Sequence, residues 1–490
     1  MKPADKPNGN PRLQQAAGAA VATIALALAL AIGAVTSAHA AANIVIVNLN
    51  DPGIGFNDPT PATPVGGNPG TTLGQQRLYA FQNAAGIWGS TLSSNVTIRI
   101  GASFVPLSCT ATSAVLGSAG ANEIWSDFPN APRANTWYPS ALASKLAGED
   151  VATPGQPHII ARFNSRLGLF SDCLPGSGFY LGLDRNFGDQ IDLVTVLLHE
   201  FAHGLGFQTF TDDETGQEIM DIPSVWDYYL LDNHTNRSWV ESSAAERARS
   251  AVTWRGLSWN GPRVTAAVPR VLAPMSNLAV SGDAAGQAAG NYEVGDASFG
   301  PPLSNPPVSG QLMPVVDQGD GEGLACTPLS ALNALAVRGN IALVDRGTCD
   351  FVTKARNVQA AGAIGMVVAD NAPGDVAGMS GNDPSIAIPS VRVTQANSVT
   401  LKASLQRRSR TQSGVVASLG INQNRLAGTD AQGRILMYTP TIYSPGSTVS
   451  HYTTEAKPNQ LMEPSINDDL THEVTPPRDL TYPLLQDIGW

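Results

Sequence analysis

The sequence predicts a mixed protein of the α+β or α/β class with more than one domain. Its 490 residues are enough for two to four domains, and 43% of them are hydrophobic, as in globular proteins. The 48 glycines and 35 prolines favour short strands and long loops over a helical bundle. The net charge of -11 would repel a phosphate backbone, so nucleic acid is not an expected partner.

The first region of the chain alternates strands and helices. An apolar run at 43–49 predicts a buried strand, and 96–100 alternates apolar and polar residues as a strand does. Between them, apolar residues recur on one helical face over 72–92. Further strands are expected at 158–163 and 178–183. This order of elements predicts one mixed sheet with helices beside it.

More helices are expected after these strands. One should extend from about Gln190 to Gly204, with Asp189 as its N-cap. Two others are predicted at 223–232 and 243–254, and Ser243-Ala244-Ala245-Glu246 forms a capping box at the start of the second. The helix that ends near Gly204 contains His199 and His203.

From about residue 265 to 420 the pattern changes to short β-type segments broken by glycine and proline. Inside this region, 339–349 predicts a strand, 351–361 a helix and 365–371 a second strand. The region therefore has its own strand–helix–strand unit, separate from the first.

The N-terminus predicts export. Three basic residues are followed by an apolar run over about 16–35 and by Ala38-His39-Ala40, the small-x-small pattern of a signal peptidase site. We expect residues 1–40 to be a signal peptide cleaved before Ala41. An uncleaved anchor is the alternative, because the run is long enough to span a bilayer. No other stretch is long and apolar enough to do so.

The four cysteines predict two disulfides, because an even number in an exported protein is typical of paired thiols. Sequence spacing suggests Cys109–Cys173 and Cys326–Cys349, each pair local to one region. The chain contains no Cys-x-x-Cys, which makes a thiolate zinc site unexpected.

The segment His199-Glu200-Phe201-Ala202-His203 predicts a catalytic metal site. On a helix, His199 and His203 project from one face about a turn apart, so both imidazoles can reach one zinc ion. Glu200 lies beside the first ligand, where it can take a proton from water and pass it to a leaving amine. The alternative is a helix with two ordinary histidines.

Three protein ligands are needed, and the third is not obvious from spacing. The position three residues after Gly206 is Thr209, a poor zinc ligand. Asp212 and Asp213 miss the spacing, and Glu214 and Glu218 lie in a polar stretch without a fitting helix. The remaining histidines after the signal peptide are His158, His234, His451 and His472.

Two segments together resemble the leishmanolysin-type metzincins. The first is His199-Glu-Phe-Ala-His-Gly-Leu-Gly-Phe207, and the second is Gly446-Ser-Thr-Val-Ser-His451 followed by Leu461-Met462-Glu463-Pro464. The resemblance implies zinc ligation by His199, His203 and His451, with Glu200 as general base. It also implies a helix-ending turn at Gly206 and the methionine turn at Met462. His472 is the rival third ligand.

The chain departs from that family in two respects. It lacks the family's dense cysteine framework, and 248 residues separate His203 from His451. A second resemblance explains the gap. Residues from Ala325-Cys326 to Asn371, including Gly339 to Cys349 and Ala360-Ala361-Gly362-Ala363, resemble the protease-associated (PA) domain. Asp345 and Arg346 are expected to form an ion pair internal to that domain.

The expected organisation therefore has four parts. They are a signal peptide at 1–40, the first part of a metzincin-like catalytic domain at 41–267, an inserted β-rich α/β PA domain at 268–420, and the rest of the catalytic domain at 421–490. The catalytic domain should contain a mixed sheet and the active-site helix. The inserted domain is expected to gate or position substrates, or to be a structural lid.

The expected function is a secreted zinc-dependent endopeptidase that acts on proteins or peptides. Zn²⁺ is the expected cofactor, and no membrane association is expected after signal cleavage. The alternative is a secreted, non-catalytic PA-domain binding protein, in which the partner is captured and not cleaved.

Overall fold

The computed structural model describes residues 40–316, 318–374 and 376–490. The predicted signal peptide lies outside these residues, apart from Ala40. Within the described part of the chain, no helix is long and apolar enough to cross a membrane.

The first sheet contains three parallel strands and one antiparallel edge strand. The parallel strands are β1 (Ile44–Asn48), β2 (Ile98–Val105) and β6 (Ile159–Asn164), and the edge strand is β3 (Gly117–Ala121). Their order is β1–β2–β6–β3. The predicted strands at 43–49, 96–100 and 158–163 are confirmed in position. The edge strand was not predicted, because its small residues show no alternation of apolar and polar side chains.

Two helices pack on this sheet through a shared apolar core. Helix α1 (Leu73–Thr91) begins after Thr72, whose side chain accepts a hydrogen bond from the Gln75 amide. Helix α3 (Leu193–Leu205) contacts it, and the Trp88 indole donates to the Leu198 carbonyl at 3.1 Å. Both helices agree with the predicted ranges to within a few residues, because long amphipathic runs define them.

The N-cap of α3 is Asp192, so the prediction of Asp189 is wrong. The Asp192 carboxylate accepts hydrogen bonds from the Thr195 amide at 3.3 Å and the Thr195 hydroxyl at 2.5 Å. The predicted strand at 178–183 is shortened to β7 (Phe179–Tyr180), which pairs with β8 (Ile191–Asp192). Because β8 continues to Asp192, the helix starts later than predicted.

The predicted helix at 223–232 is also wrong. Its residues form turns and then strand β9 (Leu230–Asp232), which lies between β10 (Arg237–Ser238) and β11 (Leu257–Trp259). The Asp227 carboxylate accepts from the Ser224 amide at 2.8 Å, which closes a turn where the helix was expected. By contrast, α4 (Ala244–Ala251) has the predicted capping box of Ser243 and Glu246.

This region contains further short strands and α-helices. They are β4 (Ile124–Trp125), β5 (Tyr138–Pro139), α2 (Ser140–Ala147) and α5 (Pro262–Val271). The described chain ends in α9 (Thr481–Ile488), whose Asp487 carboxylate accepts hydrogen bonds from the Trp259 indole and from the first turn of α5. The last segment therefore belongs to the first core.

A second, eight-stranded sheet is formed by the residues that lie in sequence between α5 and the C-terminal segment of the first core. Its strands are β12 (Pro274–Ser281), β13 (Gly290–Glu293), β14 (Gly295–Asp296), β15 (Val308–Pro314), β16 (Ile341–Asp345), β17 (Gly365–Ala369), β18 (Ser390–Val393) and β19 (Val416–Leu426). Their order in the sheet is β13–β12–β19–β15–β16–β17–β18–β14. The helices are α6 (Ala331–Val337), α7 (Phe351–Ala360) and α8 (Gln395–Ser404).

Both faces of this sheet are buried. Ile341 and Leu343 belong to one apolar core, whereas Ala342 and Val344 belong to the other. The strand, helix and strand predicted at 339–371 are confirmed as β16, α7 and β17. The predicted Asp345–Arg346 ion pair is wrong, because consecutive residues point in opposite directions. Arg346 pairs with Asp370 at 3.0 Å, and Asp345 pairs with Lys402 at 2.5 Å.

The insert leaves and re-enters the first region at one place. Its first strand β12 pairs antiparallel with its last strand β19, so Pro274 lies opposite Leu426. The Ala427 amide then donates to the Ala273 carbonyl at 2.9 Å. The two predicted disulfides, Cys109–Cys173 and Cys326–Cys349, are confirmed, and each lies within one region.

Candidate metal centre

The predicted motif, His199 to His203, lies on helix α3, which is buried along its whole length. Its apolar residues face the core on all sides, and every residue from Leu193 to Leu205 is buried. It ends at Gly206, as expected, with a φ of 124° that favours glycine. A Cβ atom at Gly206 would also lie 2.8 Å from Ile488, so the last helix packs directly on this turn.

Three histidine side chains meet at the centre of this region. The Nε2 atoms of His199, His203 and His451 lie 3.2 Å from one another in each of the three pairs. Their residues are at most 9% exposed. Two of them come from α3, and the third comes from the returning segment of the chain.

The other nitrogen of each imidazole is occupied. Nδ1 donates to a backbone carbonyl in each case, to Leu461 from His199 at 2.7 Å, to Phe207 from His203 at 2.7 Å and to Ser447 from His451 at 2.9 Å. These bonds fix the tautomer that leaves Nε2 without a proton. Three nitrogen lone pairs therefore face one another, an arrangement that a shared cation would stabilise.

Burial keeps these imidazoles neutral. It lowers the pKa of His199 to about 4, and burial together with His199 lowers the pKa of His203 to about 3. The pKa of His451 falls well below its usual value for the same reason, since both other histidines add to the effect of burial. Neutral imidazole is the form that binds a metal ion.

Glu200 lies beside the histidines and under the edge strand β3. Its side chain is buried, and burial raises its pKa to about 8, while a backbone hydrogen bond from Ala119 acts in the opposite direction. A Cβ atom at Gly117 would lie 2.9 Å from the Phe163 ring and 3.2 Å from Glu200 Cγ. Glycine at this position therefore allows the edge strand to approach the carboxylate.

The methionine-turn segment supports the first histidine. Met462 is fully buried, and its carbonyl accepts from the Tyr452 amide at 2.7 Å. The neighbouring Leu461 accepts from His199 through its carbonyl, and its amide donates to Asp479 at 2.7 Å. Sequence reasoning missed Asp479, which lies in no motif and is 28 residues beyond His451.

The rival ligands are occupied elsewhere. His472 bonds to Asp192 at 2.6 Å, and the Thr209 hydroxyl donates to Asp227 at 2.8 Å. Glu218 pairs with Arg247 at 3.1 Å, and Asp212 accepts from the amides that follow it. Among the described residues, His199, His203 and His451 are the one group of histidine, cysteine or acidic residues that is close enough to share a metal ion.

An open cleft of about 900 Å³ contains the three histidines and Glu200. Strand β3 forms one side, and the segment 464–470 after the methionine turn forms another. None of its described lining residues comes from the insert, so the eight-stranded sheet does not cover the histidines.

Comparison with known proteins identifies the insert. A family model described as "PA domain" matches residues 308–401. The minor extracellular protease Vpr of Bacillus subtilis (strain 168) is 30% identical over 115 residues, which is 23% of this chain and 14% of that protein. The ER degradation-enhancing alpha-mannosidase-like protein 3 of Xenopus laevis is 57% identical over 42 residues, 9% of this chain and 5% of that protein.

The chain is similar to these relatives, and to one solved structure, over only part of their lengths. The chain spans less than a sixth of either curated relative. The zinc aminopeptidase BSAP of Bacillus subtilis is 18% identical, with a TM-score of 0.22, over 37% of this chain and 38% of that one. A likeness this low supports no conclusion about the histidine region. The chain contains a PA domain, at the residues that the family model matches.

Proposed function

We propose that the protein is a secreted zinc-dependent endopeptidase of the leishmanolysin-type metzincin class. The observation that supports this most directly is the convergence of the Nε2 atoms of His199, His203 and His451, 3.2 Å apart, with Glu200 adjacent. In this proposal, residues 41–267 and 421–490 form one catalytic domain, and 268–420 is the inserted PA domain.

The donor set fits zinc. Zinc accepts neutral imidazole nitrogens, and a catalytic site keeps three protein ligands and one open position. The three histidines are held neutral by burial, and each is oriented by a carbonyl on Nδ1. They also border an open cleft, so a substrate can approach from one side. We therefore assign metal binding to His199, His203 and His451.

A bound zinc ion would supply Lewis acidity, which polarises a carbonyl group and makes water more acidic. The chain's own contribution is Glu200, whose carboxylate form a cation bound beside it would favour. The carboxylate takes a proton from water and passes it to the leaving amine. Among the described strands, β3 stands at the edge of its sheet, and an extended peptide can pair along its free side. Proteins and peptides are thus the proposed substrates.

Secretion and proteolysis receive separate support. Two disulfides are typical of an exported protein. One relative of part of the chain is described as an extracellular protease. In this proposal the predicted signal peptide is removed on export, and the acidic chain gives no reason to expect a nucleic-acid partner.

Metal analysis combined with a protease assay tests the proposal. The purified protein should contain about one zinc ion and hydrolyse casein, and a chelator should abolish hydrolysis until zinc is restored. Glu200→Gln should keep the zinc and lower the rate by about 10²–10⁴-fold, because only the proton transfer is removed. Glu214→Gln, an exposed carboxylate outside the cleft, is the matched control. Unchanged hydrolysis by Glu200→Gln would refute the role of Glu200.

A non-catalytic binding protein is the second candidate. Its support is that part of the chain is similar to an alpha-mannosidase-like protein as well as to a protease, so this part is not confined to proteases. Protein that is free of zinc and inactive when purified from its native secretion would support this alternative against the endopeptidase.

A further inference from the structure

One short segment of the chain joins two parts of the histidine cluster. Residues 453–458 follow His451, the third histidine, and precede Leu461, whose carbonyl accepts from His199. Because the backbone is continuous, a displacement of this segment would act on His451 from one end and on the support of His199 from the other. The contacts of 453–458 therefore matter for the geometry of all three histidines.

The PA insert contacts this segment first through Lys457. The ammonium group of Lys457 pairs with Asp296 of β14, which also accepts from the Ser276 hydroxyl of β12 at 2.9 Å. The Lys457 carbonyl accepts from the amide of Ala273, the residue before β12, at 2.7 Å. The side chain and the backbone of Lys457 are thus both held close to the first strand of the insert.

The second contact is a row of four side chains with alternating charge. The two oxygens of Glu455 accept from Arg255 Nε at 3.1 and 3.0 Å, and Arg255 also pairs with Glu293 of β13. Glu293 in turn pairs with Arg425 of β19 at 2.8 Å. The four side chains are only 18–33% exposed, so water screens these pairs less than it screens isolated pairs on the surface.

The residue between the two charged contacts is packed against the end of the insert. Ala456 is 1% exposed, and a Cβ atom at Gly428 would lie 2.7 Å from its Cα. Gly428 follows β19 closely and has a φ of 72°, which favours glycine. Three consecutive residues of the segment, 455–457, are therefore held by the insert or by the chain next to it.

We propose that the PA insert is a support of the zinc centre, in which Glu293 and Asp296 act as positioning residues for the segment 453–458. This inference rests on the proposed endopeptidase function and gives the insert a role in it. Among the described residues, none of the insert lines the cleft, so its influence passes through the segment and not through contact with a substrate. Substitutions in such a network change affinity at a distant site by roughly 2–30-fold.

A charge exchange between the insert and the segment tests this. Asp296→Lys places two cations together, so hydrogen exchange of 453–463 in the metal-free protein should accelerate by at least about threefold. Zinc affinity, measured by competition with a chelator, should fall by at least about threefold. Lys457→Asp should have the same effects, and the double variant should recover most of both losses. Asp283→Lys makes the same charge change at an exposed position of the insert and should alter neither.

A second variant tests the other contact with a smaller change. Glu293→Gln removes one charge at nearly constant volume, and Glu455 keeps its bonds to Arg255. Exchange of 453–463 should accelerate, and zinc affinity should fall, by less than in Asp296→Lys. Exchange of the core strand β2 should stay as in wild type in every variant, which separates a local release of the segment from a general loss of stability.

The outcomes separate this inference from the proposed function. If Asp296→Lys and Glu293→Gln exchange hydrogen and bind zinc as wild type does, or if the double variant recovers nothing, the insert does not support the centre and the endopeptidase remains. If wild type binds no zinc, the proposed function fails. Hydrogen exchange of the metal-free protein then still decides whether Glu293 and Asp296 hold the segment.

Discussion

The PA domain and the histidine cluster both bury ionisable side chains, but they satisfy them differently. In the PA domain, buried Asp370 accepts from Arg346 at 3.0 Å and from Arg392 at 2.7 Å, and buried Lys354 donates to the Leu324 carbonyl at 2.6 Å. In the histidine cluster, three Nε2 atoms face one another without a proton between them. The buried charges of the PA domain thus have partners within the fold, whereas the histidine cluster has the form of a site that could hold a metal ion.

The largest effect is expected from replacing the third histidine, His451, because the cluster would then lack one of its three nitrogen donors. His451→Ala should lose bound zinc and reduce casein hydrolysis by more than the roughly 10–100-fold expected for a supporting residue, because one of three ligands is gone. Zinc per protein, measured by mass spectrometry, checks this. His472→Ala is the matched control, since His472 bonds to Asp192 and should be dispensable for zinc. If His472→Ala lost zinc and His451→Ala kept it, His472 and not His451 would be the third ligand.

Loss of the support behind the first histidine should have a smaller effect. Asp479 holds the Leu461 amide, and the Leu461 carbonyl holds His199. Asp479→Asn should weaken zinc affinity by about 10–100-fold, as outer-shell partners do. Competition with a chelator of known affinity measures this change. An unchanged affinity would show that the turn is held without Asp479.

The PA domain should respond in stability and not in metal binding. Asp370→Ala leaves Arg392, which is only 11% exposed in its side chain, without its partner. We expect the free energy of unfolding of that domain to fall by about 3 kcal/mol, as for other broken buried pairs. Urea unfolding measures it, and zinc content below the transition should stay constant. Asp350→Asn, an exposed carboxylate of the same domain, should change stability by less than about 0.5 kcal/mol.

The smallest expected effect is the pH dependence of the stability that Asp370 contributes through Arg392 and Arg346. Burial alone would raise the pKa of Asp370, but hydrogen bonds from Arg392, Ala372 and Arg346 lower it below its usual value. A lowered carboxyl pKa stabilises the fold at any pH above the unfolded value of about 3.9, and this contribution is lost as pH falls through the folded value. The difference between wild type and Asp370→Ala in urea should therefore be constant from pH 7 to 5 and shrink below pH 4.

The sequence predicted elements where local pattern and buried face agree. Helix α1 was located within a residue at each end, because its apolar residues share one face and Thr72 caps it. The helix expected at 223–232 failed, since its apolar residues are buried by distant parts of the chain and Asp227 closes a turn. Strand β3 had no signal of its own, because glycine and alanine show no periodicity.

In the candidate site too, the residues with a local sequence pattern could be predicted and the others could not. His199, Glu200 and His203 are recognisable from spacing on one helix, whereas spacing alone left the third ligand open. His451 was identified by resemblance, and the structure brings it to the other two histidines. Asp227 and Asp479 could not have been selected, because they lie in no motif and their contacts to Thr209 and Leu461, each 18 residues away, exist only in the folded chain.

The insert, which begins at β12 and ends at β19, affects the order in which the histidines are synthesised. His451 follows His203 by 248 residues, so the ribosome must make the whole insert before the third histidine exists. At typical rates of 5–20 residues per second, this takes roughly 10–50 s. During that interval the growing polypeptide has two histidines and a carboxylate but an incomplete ligand set. The insertion thus delays the onset of the proposed hydrolytic activity until the segment that carries His451 has been made.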